Sequence, residues 1–205
     1  MMGEKFKKIL VFSILSVFTI FIFFAATKGN KKTEHKVQFI KVNASAALSN
    51  KKMGWGVKRE DNNKQPVIGS SLTTVLDKYE GFYMGNAEKP YVYLTFDEGY
   101  EAGYTPQILE TLKQNNVPAT FFLTAHFLNS KPELVEQMIK EGHMIGNHTV
   151  NHKSMPDLTD EKIQSEIMDF HKAMYEKLGY EMKYIRPPMG EFSERTVDIS
   201  NKLRI

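Results

Sequence analysis

From Tyr91 onward, short β-rich runs and amphipathic helical stretches alternate, and this limits the fold more than any other feature of the chain. Tyr91-Val92-Tyr93-Leu94-Thr95-Phe96 is rich in β-branched and aromatic residues and follows a proline, so it reads as a first strand. Thr105 to Asn116 places Ile108, Leu109 and Leu112 at helical spacing. Ala119 to Thr124 is the next strand. Ser130-Lys131-Pro132-Glu133 has the pattern of a capping box with proline in the first turn, opening a helix that runs to about Glu141 and stops at Gly142. His143 to Gly146 is a third, short strand. Thr159 to Leu178 carries Ile163, Ile167, Phe170, Met174 and Leu178 on one face, with Gly179 as its stop. Met182 to Ile185 is a fourth strand, Ser193 can cap a last helix, and an earlier helix is expected at Leu72 to Tyr79. Strands alternating with helices imply right-handed βαβ units, hence an α/β fold with a parallel sheet.

Two segments of other composition precede this part. Ile9 to Ala26 is apolar and uncharged, with Lys5, Lys7 and Lys8 ahead of it. Such a length nearly spans the hydrocarbon core of a bilayer, and the basic start keeps the N-terminus in the cytoplasm and exports the rest of the chain. Residues 1–26 therefore read as a signal peptide or a membrane anchor, with cleavage after Ala25-Ala26 and retention both open. A buried core helix is disfavoured, because the run has no polar face. Residues 27–53 hold seven lysines and one glutamate and read as a basic tether. Ala44-Ser45-Ala46 lies too far past the apolar run for signal peptidase and reads as small linker residues.

Residues 54–205 are the folded candidate. They carry 17 Lys+Arg against 22 Asp+Glu, whereas the whole chain is formally +3. The basic excess belongs to the leader and tether, so the domain offers no basic footprint for nucleic acid. The chain has no cysteine, which excludes a disulfide scaffold, a thiolate zinc site and a cysteine nucleophile.

Chemistry-bearing residues collect after the strands. Asp97-Glu98-Gly99 follows the first strand, His148-Thr-Val-Asn-His152 the third, and Arg186-Pro187-Pro188-Met189-Gly190 the fourth. In parallel α/β folds the site forms at the C-terminal strand ends, so three segments meet on one rim. Two histidines four apart can face one way on a helical turn and, with one carboxylate, make a divalent-metal site with open positions for water. The Arg186 guanidinium can compensate and orient Asp97 through charge-assisted hydrogen bonds. Each motif alone also has a plain reading: capping acids, a chance histidine pair, a surface arginine. The conjunction carries the weight. His126 points to the same rim, His143 belongs to its strand, and His171 is expected at the surface of the long helix.

Thr95-Phe96-Asp97-Glu98-Gly99, His148-Thr-Val-Asn-His152 and Arg186-Pro187-Pro188-Met189-Gly190 resemble the first three motifs of the NodB-like polysaccharide deacetylases, carbohydrate esterase family 4. Trp55-Gly56, the run Tyr79 to Asn86, Glu98 to Thr105 and Gly190-Glu191-Phe192-Ser193 are similar to the delta-lactam-biosynthetic de-N-acetylase branch. The resemblance covers about residues 55 to 203. It implies a distorted parallel (β/α) barrel and removal of the acetyl group from muramic acid in spore-cortex peptidoglycan, leading to muramic delta-lactam. It also implies a divalent metal held by His148 and His152 with Glu98, and two imidazoles with a carboxylate favour zinc. Asp97 is then the general base, oriented by Arg186, and the Met189 backbone N–H an oxyanion donor. The implied partners are peptidoglycan glycan strands, and the membrane if the N-terminal segment is retained; the implied place is the exported side of the cytoplasmic membrane or the cell or spore envelope.

The same resemblance brings two departures. The family's first motif has Asp where this chain has Glu98. Its two later motifs, an Asp/Trp wall and a Leu-x-x-His carrying the general acid, are not among the 205 residues. The expectation is therefore the N-terminal portion of a deacetylase domain with its C-terminal part missing. The alternatives are a non-catalytic glycan- or metal-binding remnant, and a chitin- or xylan-type deacetylase.

Overall fold

The structure, a computed structural model, describes residues 48–62 and 64–204. The expected leader and the first part of the tether lie outside the described residues, which fall within one unit of the chain, residues 39–205. The elements run β1 (Met53–Gly54), α1 (Ser70–Lys78), β2 (Thr95–Glu98), α2 (Thr105–Gln114), β3 (Thr120–Leu123) and α3 (Ala125–Ser130). Then come α4 (Pro132–Lys140), β4 (Met144–Asn147), α5 (Asp160–Leu178), β5 (Glu191–Phe192) and α6 (Glu194–Lys202). Among the described residues, no helix is long and apolar enough to cross a membrane.

The sheet is parallel, in the order β2-β3-β4, with Thr95 opposite Thr120 and Thr120 opposite Met144. β3 lies in the middle, and its sequence, Thr-Phe-Phe-Leu, is nearly continuous in apolar character, as a strand covered on both faces requires. Phe121, Leu123 and Ile145 are fully buried against Leu109 of α2, Phe127 of α3, Met138 of α4 and Phe170 of α5. Each such side chain contributes about 1.5–3 kcal/mol on burial. Across the pleat, β3 and β4 pack without space to spare: a Cβ added at Gly146 would overlap a ring carbon of Phe122.

Local signals placed several helices. Thr159 caps α5 by accepting the Lys162 N–H, and Gly179 ends it in the left-handed region at φ 66. Ser193 caps α6 in a capping box closed by Thr196. Four local expectations are corrected. Ser130 ends α3 and its hydroxyl donates to the His126 carbonyl, so it caps nothing downstream; Lys131 occupies the N-cap of α4 without a side-chain bond. The first strand begins at Thr95 rather than Tyr91, because β3 offers partners only from Thr120 onward. Tyr91 to Leu94 stay exposed, Val92 at 86%. The fourth strand contracts to one parallel bridge, Asn147 with Ile185. Arg186 donates one more bond, and Pro187 and Pro188 after it have no N–H to extend the ladder. Finally, Asp97 and Glu98 are the last residues of β2, not a loop after it.

One pairing was not expected from the sequence. β1 joins β5 antiparallel, Met53 opposite Phe192. Lys52 reaches Asp157 at 2.6 Å and Glu191 at 3.2 Å, and Asn50 donates to the Pro156 carbonyl at 3.0 Å. The last residues of the lysine-rich stretch are thus bonded to the domain.

Candidate active site and metal centre

Successive residues of a strand face opposite sides. Thr95 and Asp97 therefore share one face of β2, and Glu98 leaves from the other. Arg186 is positioned by its backbone N–H, which donates to the Asn147 carbonyl at 2.9 Å, and its guanidinium lies 4.0 Å over the Phe122 ring. From there it forks across one face of β2. Nη1 donates to Asp97 Oδ1 at 2.5 Å and Nη2 to Thr95 Oγ1 at 3.0 Å. A stacked guanidinium loses little freedom in making both bonds.

His148 comes directly after β4 and is buried. Its Nδ1 donates to the Arg186 carbonyl at 2.8 Å, which leaves the Nε2 lone pair free to face outward. That Nε2 is 3.1 Å from Nε2 of His152 and 4.0 Å from Asp97 Oδ2. Burial pushes the His148 pKa below its ordinary value, while the Arg186 carbonyl and Asp97 pull it back up. The imidazole is therefore held neutral, and its approach to Asp97 is not an ion pair. The structure thus brings together Asp97, Arg186, His148 and His152.

The segment from His148 to His152 is not a helical turn, as the spacing had suggested. Thr149 has φ 70 and His152 φ 55. A β-branched residue in the left-handed region is an outlier, and such strain costs on the order of 1–3 kcal/mol per residue. Side chains hold it: Asn147 Oδ1 accepts the Thr149 N–H at 2.8 Å, and Thr149 Oγ1 accepts the His152 N–H at 3.0 Å. The same strain appears at Met189, φ 59, in the tight turn Pro188–Gly190, where the residue is 61% exposed. The Trp55 backbone N–H donates to the Gly190 carbonyl at 2.7 Å, so the β1 segment braces this turn.

The two histidines fit a divalent metal. Two imidazole nitrogens on one tetrahedral zinc, at about 2.0–2.1 Å each, stand about 3.3 Å apart. The observed Nε2 separation is 3.1 Å, and a backbone carbonyl on the other ring nitrogen is the usual outer-shell support of a ligating histidine. Among the described residues no group of three or more His, Asp or Glu suited to a metal forms, with Glu98 or with Asp97. Glu98 ends β2, one residue after Asp97. Burial raises the Glu98 pKa, and the charges of Glu101 and Asp97 raise it further.

Other residues singled out in the sequence sit elsewhere. His126 is exposed on α3. His143 stands just before β4 with its side chain 2% exposed, and its Nδ1 accepts the Ala119 N–H at 3.2 Å. His171 is half-buried rather than at the surface, and its Nδ1 has no hydrogen-bond partner among the described residues. Thr95, Asn147 and Thr149 were given no role in the sequence reading, although Thr95 and Thr149 stand inside its motifs. Thr95 could have been given one, since it stands two before Asp97 on the strand.

Burial lowers the His143 and His171 pKa values, with Glu141 and Glu181 respectively opposing. Above about pH 6.5 these imidazoles are neutral in both folded and unfolded chains. Below it the unfolded chain takes up protons that the folded chain resists, so stability falls as pH falls. The thermal midpoint should drop between pH 7 and 5, and His143→Gln should flatten that drop.

Known proteins share these segments. Residues 84–205 match the polysaccharide deacetylase family. The peptidoglycan-N-acetylmuramic acid deacetylase PdaA of Bacillus subtilis is 40% identical over 158 residues, covering 77% of this chain and 60% of that protein. An uncharacterized 30.6 kDa protein of Geobacillus stearothermophilus is 45% identical over 159 residues, with the same coverage. The solved structure of Bacillus subtilis PdaA, a family 4 carbohydrate esterase, superposes with a TM-score of 0.74 at 39% identity, over 77% of this chain and 68% of that one. The chain spans about 60% of the length of these curated relatives. An arginine-held aspartate at a strand end, two converging imidazoles, and family likeness through the segments that carry them lead to one assignment: this chain belongs to the polysaccharide deacetylases, the NodB-like carbohydrate esterases of family 4.

Proposed function

We propose that the chain is a metal-dependent peptidoglycan de-N-acetylase that hydrolyses the acetamido group of N-acetylmuramic acid, in the spore-cortex route to muramic delta-lactam. The observation that carries this reading is the placement of Asp97 Oδ2 4.0 Å from the His148 imidazole, with Oδ1 held by Arg186. The three-stranded parallel sheet is then a portion of a distorted (β/α) barrel. The chain acts on the exported side of the cytoplasmic membrane, delivered by the apolar run Ile9 to Ala26, with glycan strands as substrate.

His148 and His152 would hold a divalent metal, zinc by the chemistry of its donors, which would supply positive charge to acidify water and polarise the amide carbonyl. Asp97 takes the proton as the water oxygen bonds to the carbonyl carbon. Arg186 keeps the carboxylate aimed, because both of its bonds fall on one face of β2. The Met189 N–H, in its left-handed turn, donates to the oxyanion. Cleavage of the carbon–nitrogen bond then releases acetate as the amine takes up the proton that Asp97 removed from the water.

The test is acetate release from peptide-free glycan strands by the folded full chain with zinc, beside chitooligosaccharides. Release from the muramic-containing strands alone is expected. Equal release from both would move the substrate to chitin-type polymers, and none from either would overturn catalysis. Glu98, standing where the family's first motif has Asp, favours a second reading: a metal-binding, non-catalytic member that binds zinc and releases nothing.

A further inference from the structure

Glu166 lies on α5, 7% exposed, and among the described residues no lysine or arginine forms an ion pair with it. A buried carboxylate without a cation is costly and persists only where hydrogen bonds satisfy it. Here both bonds come from one residue. The Asn151 backbone N–H donates to Oε2 at 2.7 Å, and Asn151 Nδ2 donates to Oε1 at 2.7 Å. The adjoining helix carbonyls take two more donors from the same stretch: Val150 N–H reaches the Glu166 carbonyl at 3.0 Å, and Asn147 Nδ2 the Ile167 carbonyl at 2.9 Å.

Asn151 is the residue before His152. With Thr149 at φ 70 and His152 at φ 55, the backbone between the two histidines is not one that local preference would choose. Packing alone does not require a carboxylate here. An apolar side chain in the same place would avoid its desolvation cost, and such replacements are often neutral or stabilising. What an apolar residue cannot do is fix both the backbone and the side chain of Asn151 at once.

We propose that Glu166 is a positioning residue: by clamping Asn151 it sets the strained loop that carries the His152 imidazole to within 3.1 Å of His148. This rests on the histidine pair being the metal site, so one readout is chosen that needs no metal.

Glu166→Gln keeps the shape but leaves only one acceptor for two donors. Combining it with Asn151→Asp restores both bonds: the introduced amide accepts the backbone N–H of residue 151 through its oxygen and donates through its nitrogen to the introduced carboxylate. Zinc affinity of the full chain, measured by competition with a chelating dye, should fall about 10–100-fold in Glu166→Gln, the usual cost of an outer-shell partner. In the swap, at least about tenfold of a 100-fold loss should be recovered. In the metal-free chain, nitrogen-15 spectra of the histidine rings should show the imidazole–imidazole hydrogen bond in the parent and the swap, and its loss in Glu166→Gln. Asn151→Ala, which removes one donor only, should weaken zinc binding less, by about threefold, and serves if Glu166→Gln does not fold. A parent chain that binds no zinc would refute the metal reading, while the ring spectra would still decide the clamp. Ring spectra of folded Glu166→Gln or Asn151→Ala identical to the parent would overturn the proposal, as would a lowered melting temperature with unchanged zinc affinity.

Discussion

Asp97→Asn is expected to lower acetate release by about 10²–10⁴-fold, the ordinary contribution of a general base, while zinc stays bound. The amide keeps an oxygen for Arg186 Nη1, so the fork onto Thr95 and residue 97 survives. What disappears is the second carboxylate oxygen, which faces the histidine pair. Acetate assay and elemental analysis on the same sample separate the outcomes. Unchanged turnover would move the base elsewhere. Loss of zinc would make Asp97 a ligand rather than a base, an outcome its position beside His148 makes worth measuring.

The second large effect is on the metal. His148→Ala should weaken zinc binding by more than about 100-fold, since even outer-shell partners of a ligand cost about 10–100-fold. The loss should exceed that of His152→Ala, because His148 is the buried member and its Nδ1 bond ties the site to the Arg186 backbone. The alanine therefore removes a donor and frees the carbonyl that helps set Arg186. A stoichiometry of one zinc per chain in folded His148→Ala would remove that residue from the ligand set.

Sequence periodicity was a good guide where structure is local. Thr159, the face of Ile163, Ile167, Phe170 and Met174, and Gly179 define α5 by themselves, and the capping box at Ser193 does the same for α6. Expectation failed where the outcome depends on a distant partner. β2 begins at Thr95 because Thr120 is its partner, a fact absent from Tyr91 to Phe96. The cap assigned to Ser130 failed because α3 already claimed that residue. At the site, Asp97, His148, His152 and Arg186 were legible as residue types at strand ends. The loop conformation was not, since it depends on Asn151 meeting Glu166, fifteen residues later.

Gly146 bears no functional group, yet the cost of changing it should register at Arg186. A methyl there would strike Phe122, the ring on which the guanidinium lies. The site thus inherits a size limit from a neighbouring strand. In a saturation scan scored by activity, Gly146 should rank among the least tolerant positions, beside residues that touch substrate. Such a scan would identify a supporting column of backbone, ring and cation, of which only the last member does chemistry.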